Sequence, residues 1–471
     1  MNYNFIPDDV RSVHLIAVCG TAMGALAAAL KDMGFSVTGS DAGVYPPMST
    51  YLADRGIAVT EGFSAKNLSH APDLVVVGNA VKRDNPEAAA VFEMGLAFCS
   101  MPQAINHFLV GDRQAIVITG THGKTTTASL LAWLLYDAGL DPSFMIGGIL
   151  SNFDANYRVG QGSYVVLEGD EYDTAFFDKG AKFLHYPPAV AVLTSVEFDH
   201  ADIFNDLDHI VAVFDRFLSN IAEKSLLVAC DGDPNIDSLL PNTNCRVESY
   251  GHGQQATWQI GQTTVDPPWS RFSVKRDGRA FGRFQMQLIG AHNRLNALSA
   301  VAVAANLGLS PQVIAAGLET FSGVKRRQEI RGVKNGVTVI DDFAHHPTAV
   351  RETVGAVKAF YPENRLIAVF EPRTNTSMRR VFQQTYSEAF SGADTVCIRK
   401  PSLLDKIAEG QRFSSEKLVA DLKARGLDAH FFDETAAIVD FVVESARPGD
   451  IVLVMSNGGF DNIHERLLER L

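Results

Sequence analysis

At 471 residues, with 46% hydrophobic and 20% charged residues, the chain is too long for a single core and too apolar for a disordered protein. Its net charge of −13 excludes a broad nucleic-acid-binding surface and leaves any phosphate recognition to backbone amides and a few placed Lys or Arg. Met1–Val10 carries Asp8 and Asp9 without a basic cluster or apolar stretch, so it does not read as a signal peptide. The longest apolar runs, such as Ala189–Val196, fall far short of the roughly 20 residues that cross a bilayer. Five scattered cysteines (Cys19, Cys99, Cys230, Cys245, Cys397) without a CxxC pair fit reduced thiols of a cytoplasmic protein.

In chain order, the first 110 residues alternate short apolar strands with helices. His14–Cys19 reads as a strand, a small-residue turn leads into a helix through Leu30, and Ser36–Thr38, Leu74–Val77 and Leu96–Cys99 resume the strands. Such alternation implies a parallel sheet with crossover helices. A second unit opens with the strand Ala115–Thr119, a glycine turn and a helix from Thr125 to Tyr136, and continues through strands at Tyr164–Leu167, Ala191–Thr194 and Leu226–Ala229. Trp258–Leu288 alternates polar and apolar residues around Asp277-Gly278, the pattern of an antiparallel patch. Helices at Arg294–Asn306 and Pro311–Leu318 follow, then strands at Thr338–Ile340, Leu366–Phe370, Thr395–Ile398 and Ile451–Met455. The expected fold class is therefore α/β with three domains. Residues 1–110 form a Rossmann-like unit, 111–324 a P-loop NTPase-like unit with the antiparallel patch, and 325–471 a second Rossmann-like unit.

The strongest chemical signal is Gly120-Thr121-His122-Gly123-Lys124-Thr125-Thr126, set between a strand and a helix. Glycines there let backbone amides converge on phosphate oxygens, Lys124 reaches the β/γ-phosphates, and the Thr125 hydroxyl faces Mg²⁺. A strict Walker pattern wants glycine at 118, where Ile118 stands. Two carboxylate-bearing segments follow strands, Glu168-Gly169-Asp170-Glu171-Tyr172-Asp173 and Glu197-Phe198-Asp199-His200. Alone, the first reads more readily as a solvated acidic loop and the second as a structural histidine, although a hard dication wants such oxygen ligands. Cys19-Gly20-Thr21-Ala22-Met23-Gly24, with Asp41 about twenty residues on, is a glycine turn of dinucleotide-binding style, and a nicotinamide dehydrogenase is its first reading.

Taken together, Gly120–Thr127, Glu168, His200, the His292-Asn293-Arg294-Leu295-Asn296-Ala297 segment, Gly323–Glu329 and Asp341–Pro347 resemble the Mur ligases, which build the peptide stem of peptidoglycan. The resemblance spans essentially the whole chain. It implies an ATP-dependent, ADP-forming ligase that activates a carboxylate as an acyl phosphate. Glu168 and His200 would contact Mg²⁺, Asn293 and Asn296 the adenine nucleotide, Arg327 an ATP phosphate, and Asp342 the ribose, with His345 near the reacting phosphate. The first domain would hold UDP-N-acetylmuramate through Gly20, Thr21, Ala22, Met23, Gly24 and Asp41. The carbamylated lysine of several members is missing, since no lysine lies between His200 and Lys224. Gly20–Gly24, Tyr45–Thr50, Glu371–Thr376 and Ser456–Phe460 look like the branch that attaches a preformed L-alanyl-γ-D-glutamyl-meso-diaminopimelate tripeptide in murein recycling, with Arg373 and Asn375 on the incoming peptide. The L-alanine-adding branch is the alternative, and a non-enzymatic nucleotide or UDP-sugar sensor the reading from another class. The expected partners are small molecules, with no nucleic acid and no membrane span.

Overall fold

The computed structural model describes residues 3–402 and 404–471, so Met1 and Asn2 of the N-terminal segment lie outside the described residues. The chain forms two compact units. The first comprises Met1–Val196, Ile210–Tyr250 and Ser299–Gly317, and the second Glu197–His209, Gly251–Leu298 and Leu318–Leu471.

The first unit contains a five-stranded, all-parallel sheet in the order Ala58–Glu61, Ser36–Asp41, Ser12–Ile16, Leu74–Val77, Phe98–Ser100. Its strand Leu74–Val77 is buried along its whole length, which is why it reads as a continuous Leu and Val run, and the neighbouring Ser12–Ile16 is buried from Val13 to Ile16, including His14. The helix Thr21–Asp32 buries Met23 through Leu30 without a break, a packing that its Ala-rich sequence permits. A second sheet runs Arg246–Gly251, Leu226–Cys230, Pro188–Leu193, Gln114–Thr119, Tyr164–Glu168, Ser143–Leu150, Ala155–Arg158, parallel throughout except for its last pair. The two layers are pinned to each other. Tyr157 donates to Asp32 at 2.8 Å and accepts from Arg55 at 3.2 Å, and Phe98 packs edge-on against Phe177.

In the second unit the antiparallel strands Trp258–Asp266, Trp269–Arg276 and Arg279–Met286 pair in sequence order, the last two joined across Asp277-Gly278, both at positive φ. A six-stranded sheet runs Glu329–Lys334, Val337–Asp342, Ile451–Met455, Leu366–Phe370, Thr395–Arg399, Asp428–Phe432. Only its first strand is antiparallel, so the strand ending in Asp342 is the second of this sheet and not the first. Pro347 at the first turn and the His346 cap start the helix Pro347–Phe360, which buries Val350, Val354, Val357 and Phe360 against the sheet. Among the described residues no helix is long and apolar enough to cross a membrane. The five cysteines are free thiols, Cys99 and Cys397 fully buried.

Candidate active site

The phosphate loop forms where the parallel strand Gln114–Thr119 ends. Gly120 (φ +125°) and Gly123 (φ +80°) adopt conformations that side-chain-bearing residues avoid, and Gly123 is the N-cap of the helix Lys124–Asp137. A Cβ on Gly120 would stand 2.2 Å from Thr194 Oγ1, so the loop is drawn tight against the neighbouring strand end. Thr194 Oγ1 donates to the His122 carbonyl at 2.5 Å, Ser195 accepts from the Thr121 amide, and its hydroxyl accepts from the His122 amide. The loop is thereby held open around the helix N-terminus, whose partial positive charge suits phosphate.

Lys124 is buried at the base of the loop. Its Nζ donates to Gly120 O at 2.6 Å and to Glu171 Oε2 at 2.9 Å. Burial alone would lower its pKa, but the carboxylates of Glu171, Asp170 and Glu168 raise it above the usual lysine value, so the ammonium is retained. Thr125 Oγ1 donates to Glu168 Oε1 at 2.8 Å, and Glu168 Oε2 accepts from the Gly147 amide at 2.7 Å. Burial, reinforced by the Asp170 charge, pushes the Glu168 carboxyl up despite Lys124. A carboxylate strained in this direction, beside a hydroxyl, is a hard-oxygen pair that a divalent cation would relieve. The donor set therefore fits Mg²⁺ and the glycine cradle fits phosphate. Thr126 is buried in the first helical turn.

In the second unit, four of the residues expected at the nucleotide gather in one network. Asn293 donates to the Ile289 carbonyl and to Gln328 Oε1, and accepts from Asn296 at 3.1 Å. The Gln328 amide donates to Asp342 Oδ2 at 2.8 Å, while Asp342 Oδ1 accepts from the Ala344 amide at 2.7 Å. Arg327 stacks 4.5 Å over the Phe343 ring. Burial raises the Asp342 pKa, and Arg327 and the two amides oppose that. One oxygen of Asp342 thus shapes the turn that carries Arg327, and the other shapes the segment that leads to His345. His345 Nδ1 donates to the Phe343 carbonyl at 2.9 Å, and its Nε2 lies 4.0 Å from Asp199. His200 also belongs to this unit, in a left-handed conformation (φ +51°), its amide donating to Asp199. Glu168 belongs to the first unit.

At the ends of the six-stranded sheet, Arg373 lies 3.6 Å from buried Glu371, whose other oxygen accepts from Ser456 at 2.6 Å. A Cβ on Gly458 would lie 2.3 Å from Arg373 Nε, so this glycine makes room for the arginine. Asn375 donates to Asp202 at 2.8 Å. In the first unit, Gly20, Thr21 and Ala22 open a helix that lacks a side-chain cap and an acidic first turn, while Met23 and Gly24 are buried. Asp41 shapes that loop by accepting from the Cys19 and Gly43 amides.

Sequence reasoning missed several participants. Glu171, Lys182, Thr194 and Ser195 hold the phosphate loop and its acidic segment in the first unit, and Gln328 holds the Asn293–Asp342 network in the second. Glu171 and Gln328 stand inside quoted motifs, but their partners, far along the chain, are visible only in three dimensions.

A phosphate loop backed by a hydroxyl–carboxylate pair defines a nucleotide-dependent enzyme, and three family models place it. Residues 12–112 match the Mur ligase family catalytic domain, 118–304 the Mur ligase middle domain, and 326–458 the Mur ligase glutamate ligase domain. The chain belongs to the Mur ligase family, whose members are ATP-dependent ligases with a three-domain α/β fold. It is 40% identical over 461 residues to the UDP-N-acetylmuramate–L-alanyl-γ-D-glutamyl-meso-2,6-diaminoheptandioate ligase of Escherichia coli (strain K12), covering 98% of each chain. Identity to the UDP-N-acetylmuramate–L-alanine ligase of Acetivibrio thermocellus is 32%, over 98% of this chain and 97% of that one. The crystal structure of a murein peptide ligase from Psychrobacter arcticus 273-4 superposes with a TM-score of 0.71 at 33% identity, covering 98% of both chains.

Proposed function

We propose that this chain joins the lactyl carboxylate of UDP-N-acetylmuramate to the amine of L-alanyl-γ-D-glutamyl-meso-diaminopimelate, with ATP cleaved to ADP and phosphate, in the cytoplasmic recycling of murein peptide. The observation that carries this reading is the full-length 40% identity to a ligase of that name, against 32% to the alanine-adding enzyme. Arg373, backed by Glu371 and Gly458, supports it by offering a guanidinium to a peptide carboxylate.

The carboxylate attacks the γ-phosphorus and ADP leaves, giving an acyl phosphate. The peptide amine then attacks the carbonyl carbon, phosphate departs, and the amine gives up a proton. Lys124 neutralises phosphoryl charge, with Gly120, Thr121, His122, Gly123, Thr125 and Thr126 forming the cradle. Mg²⁺ held there would supply Lewis-acid charge to the phosphoryl transfer. Thr125 and Glu168 are its proposed holders, with His200 as a further ligand. Asn293, Asn296, Arg327 and Asp342 are assigned to the nucleotide, and Gly20–Gly24 with Asp41 to the UDP-sugar. His345, through Nε2, is the candidate base. Residues 1–110, 111–324 and 325–471 are assigned to sugar, ATP and peptide.

The test is ADP release with ATP, Mg²⁺ and UDP-N-acetylmuramate, comparing L-alanine with the tripeptide. Turnover with the tripeptide alone is expected, and turnover with L-alanine alone overturns the assignment.

A further inference from the structure

The acidic segment Glu168–Asp173 carries four carboxylates, and the ligand roles above use only Glu168. Asp170 is paired with Lys182 at 2.9 Å, and that lysine is buried, its Nζ 4.1 Å above the Tyr172 ring. The Lys182 amide donates to Tyr172 O and the Phe183 amide to Asp170 O, so the backbone on both sides of Glu171 is clamped. Glu171, its side chain 2% exposed, points from this clamp to Lys124 Nζ at 2.9 Å. An ammonium has three donors. Here one goes to Gly120 O at 2.6 Å and one to Glu171, with Thr121 O at 3.4 Å the remaining contact.

We propose that Glu171 is a positioning residue for the phosphate-loop lysine, a fixed carboxylate that aims Lys124 and competes with the nucleotide phosphate for its ammonium. A phosphate oxygen reaching Lys124 competes with Glu171 for the charge of the ammonium, and the clamped backbone keeps Glu171 from following the lysine. Affinity for nucleotide is thereby lowered while the lysine is kept on line for the phosphoryl group in transit. An interaction that weakens ground-state binding but preserves aim raises the affinity constant and lowers turnover when it is removed.

This inference rests on the phosphate-loop reading, and the experiment separates the two. MgADP affinity is measured by isothermal titration, and kcat by ADP release, in the full-length wild type, Glu171→Gln, Glu171→Asp and Lys124→Ala. Glu171→Gln, isosteric and uncharged, is expected to bind MgADP about tenfold more tightly and to lose about tenfold in kcat. Glu171→Asp, which retains the charge at shorter reach, is expected to recover part of both. UDP-N-acetylmuramate binding and the melting temperature report that each variant is folded. Weaker MgADP binding in Glu171→Gln, or unchanged affinity and kcat, overturns the positioning role. MgADP affinity undiminished in Lys124→Ala removes the phosphate-loop reading itself, whatever Glu171 does.

Discussion

Lys124 concentrates the electrostatics of the phosphate loop in one buried ammonium with a raised pKa. Its replacement by alanine is expected to lower kcat by at least about a hundredfold, the scale of losing one charge-stabilising donor. Assays of ADP release alongside UDP-N-acetylmuramate binding check this, since the sugar is assigned to residues far along the chain from the loop. Gly458 makes a second residue-scale test. Its backbone needs no glycine, but a methyl group there meets Arg373 Cδ and Nε at 2.3 Å and Cζ at 2.8 Å. Gly458→Ala should therefore raise KM for the tripeptide about tenfold by displacing the guanidinium, with KM for MgATP unchanged. Legibility at this scale followed chain locality. Lys124, Thr125 and Glu168 could be picked out because each ends or begins an element in a recognisable motif. Glu171 and Gln328 could not, because what distinguishes them is a partner 47 or 35 residues away.

The short hairpin Asp173–Ala175 and Asp178–Ala181 carries an acid-sensitive element. Burial would raise the Asp178 carboxyl, but the hydrogen bond from His185, 2.7 Å away, holds it down at about 2. A folded-state pKa below the unfolded value of about 3.9 contributes stability above that pH and loses it as pH falls through about 2. The melting temperature of Asp178→Asn, measured from pH 5 to 2, is expected to fall less steeply than that of the wild type. An identical slope would show that the pair adds nothing. Elements that bury both faces were the ones readable from sequence. Leu74–Val77, Leu366–Phe370 and Ile451–Met455 have the expected bounds because each is an unbroken apolar run. Ala58–Glu61 went unseen because it is an exposed edge strand with a single partner, and Glu329–Lys334 likewise. The hairpin Ser143–Leu150/Ala155–Arg158 was hidden by Gly147-Gly148, which interrupts the strand pattern where the Gly147 amide meets Glu168.

For the whole molecule, ligand binding is linked to unfolding. At a hundredfold excess over Kd, a ligand that binds only the folded protein stabilises it by about 2.7 kcal/mol. UDP-N-acetylmuramate and MgADP should each raise the melting temperature of the wild type, and in Lys124→Ala only the sugar should do so. A nicotinamide dinucleotide, the first reading of the Gly20–Gly24 turn, should leave it unchanged.

The first unit is assembled from three separated stretches of chain, the last of them Ser299–Gly317. That stretch is structural, for Trp133 Nε1 donates to the Gly317 carbonyl at 3.0 Å and a Cβ on Gly317 would press within 2.7 Å of Leu134. A nascent chain that has emerged as far as Val196 therefore still lacks part of that unit. At roughly 5–20 residues per second, translation needs on the order of ten seconds to deliver the missing stretch. During that interval apolar surface that ends up interior remains accessible to chaperones, and a ribosome stalled between codons 196 and 299 would display a partly built core.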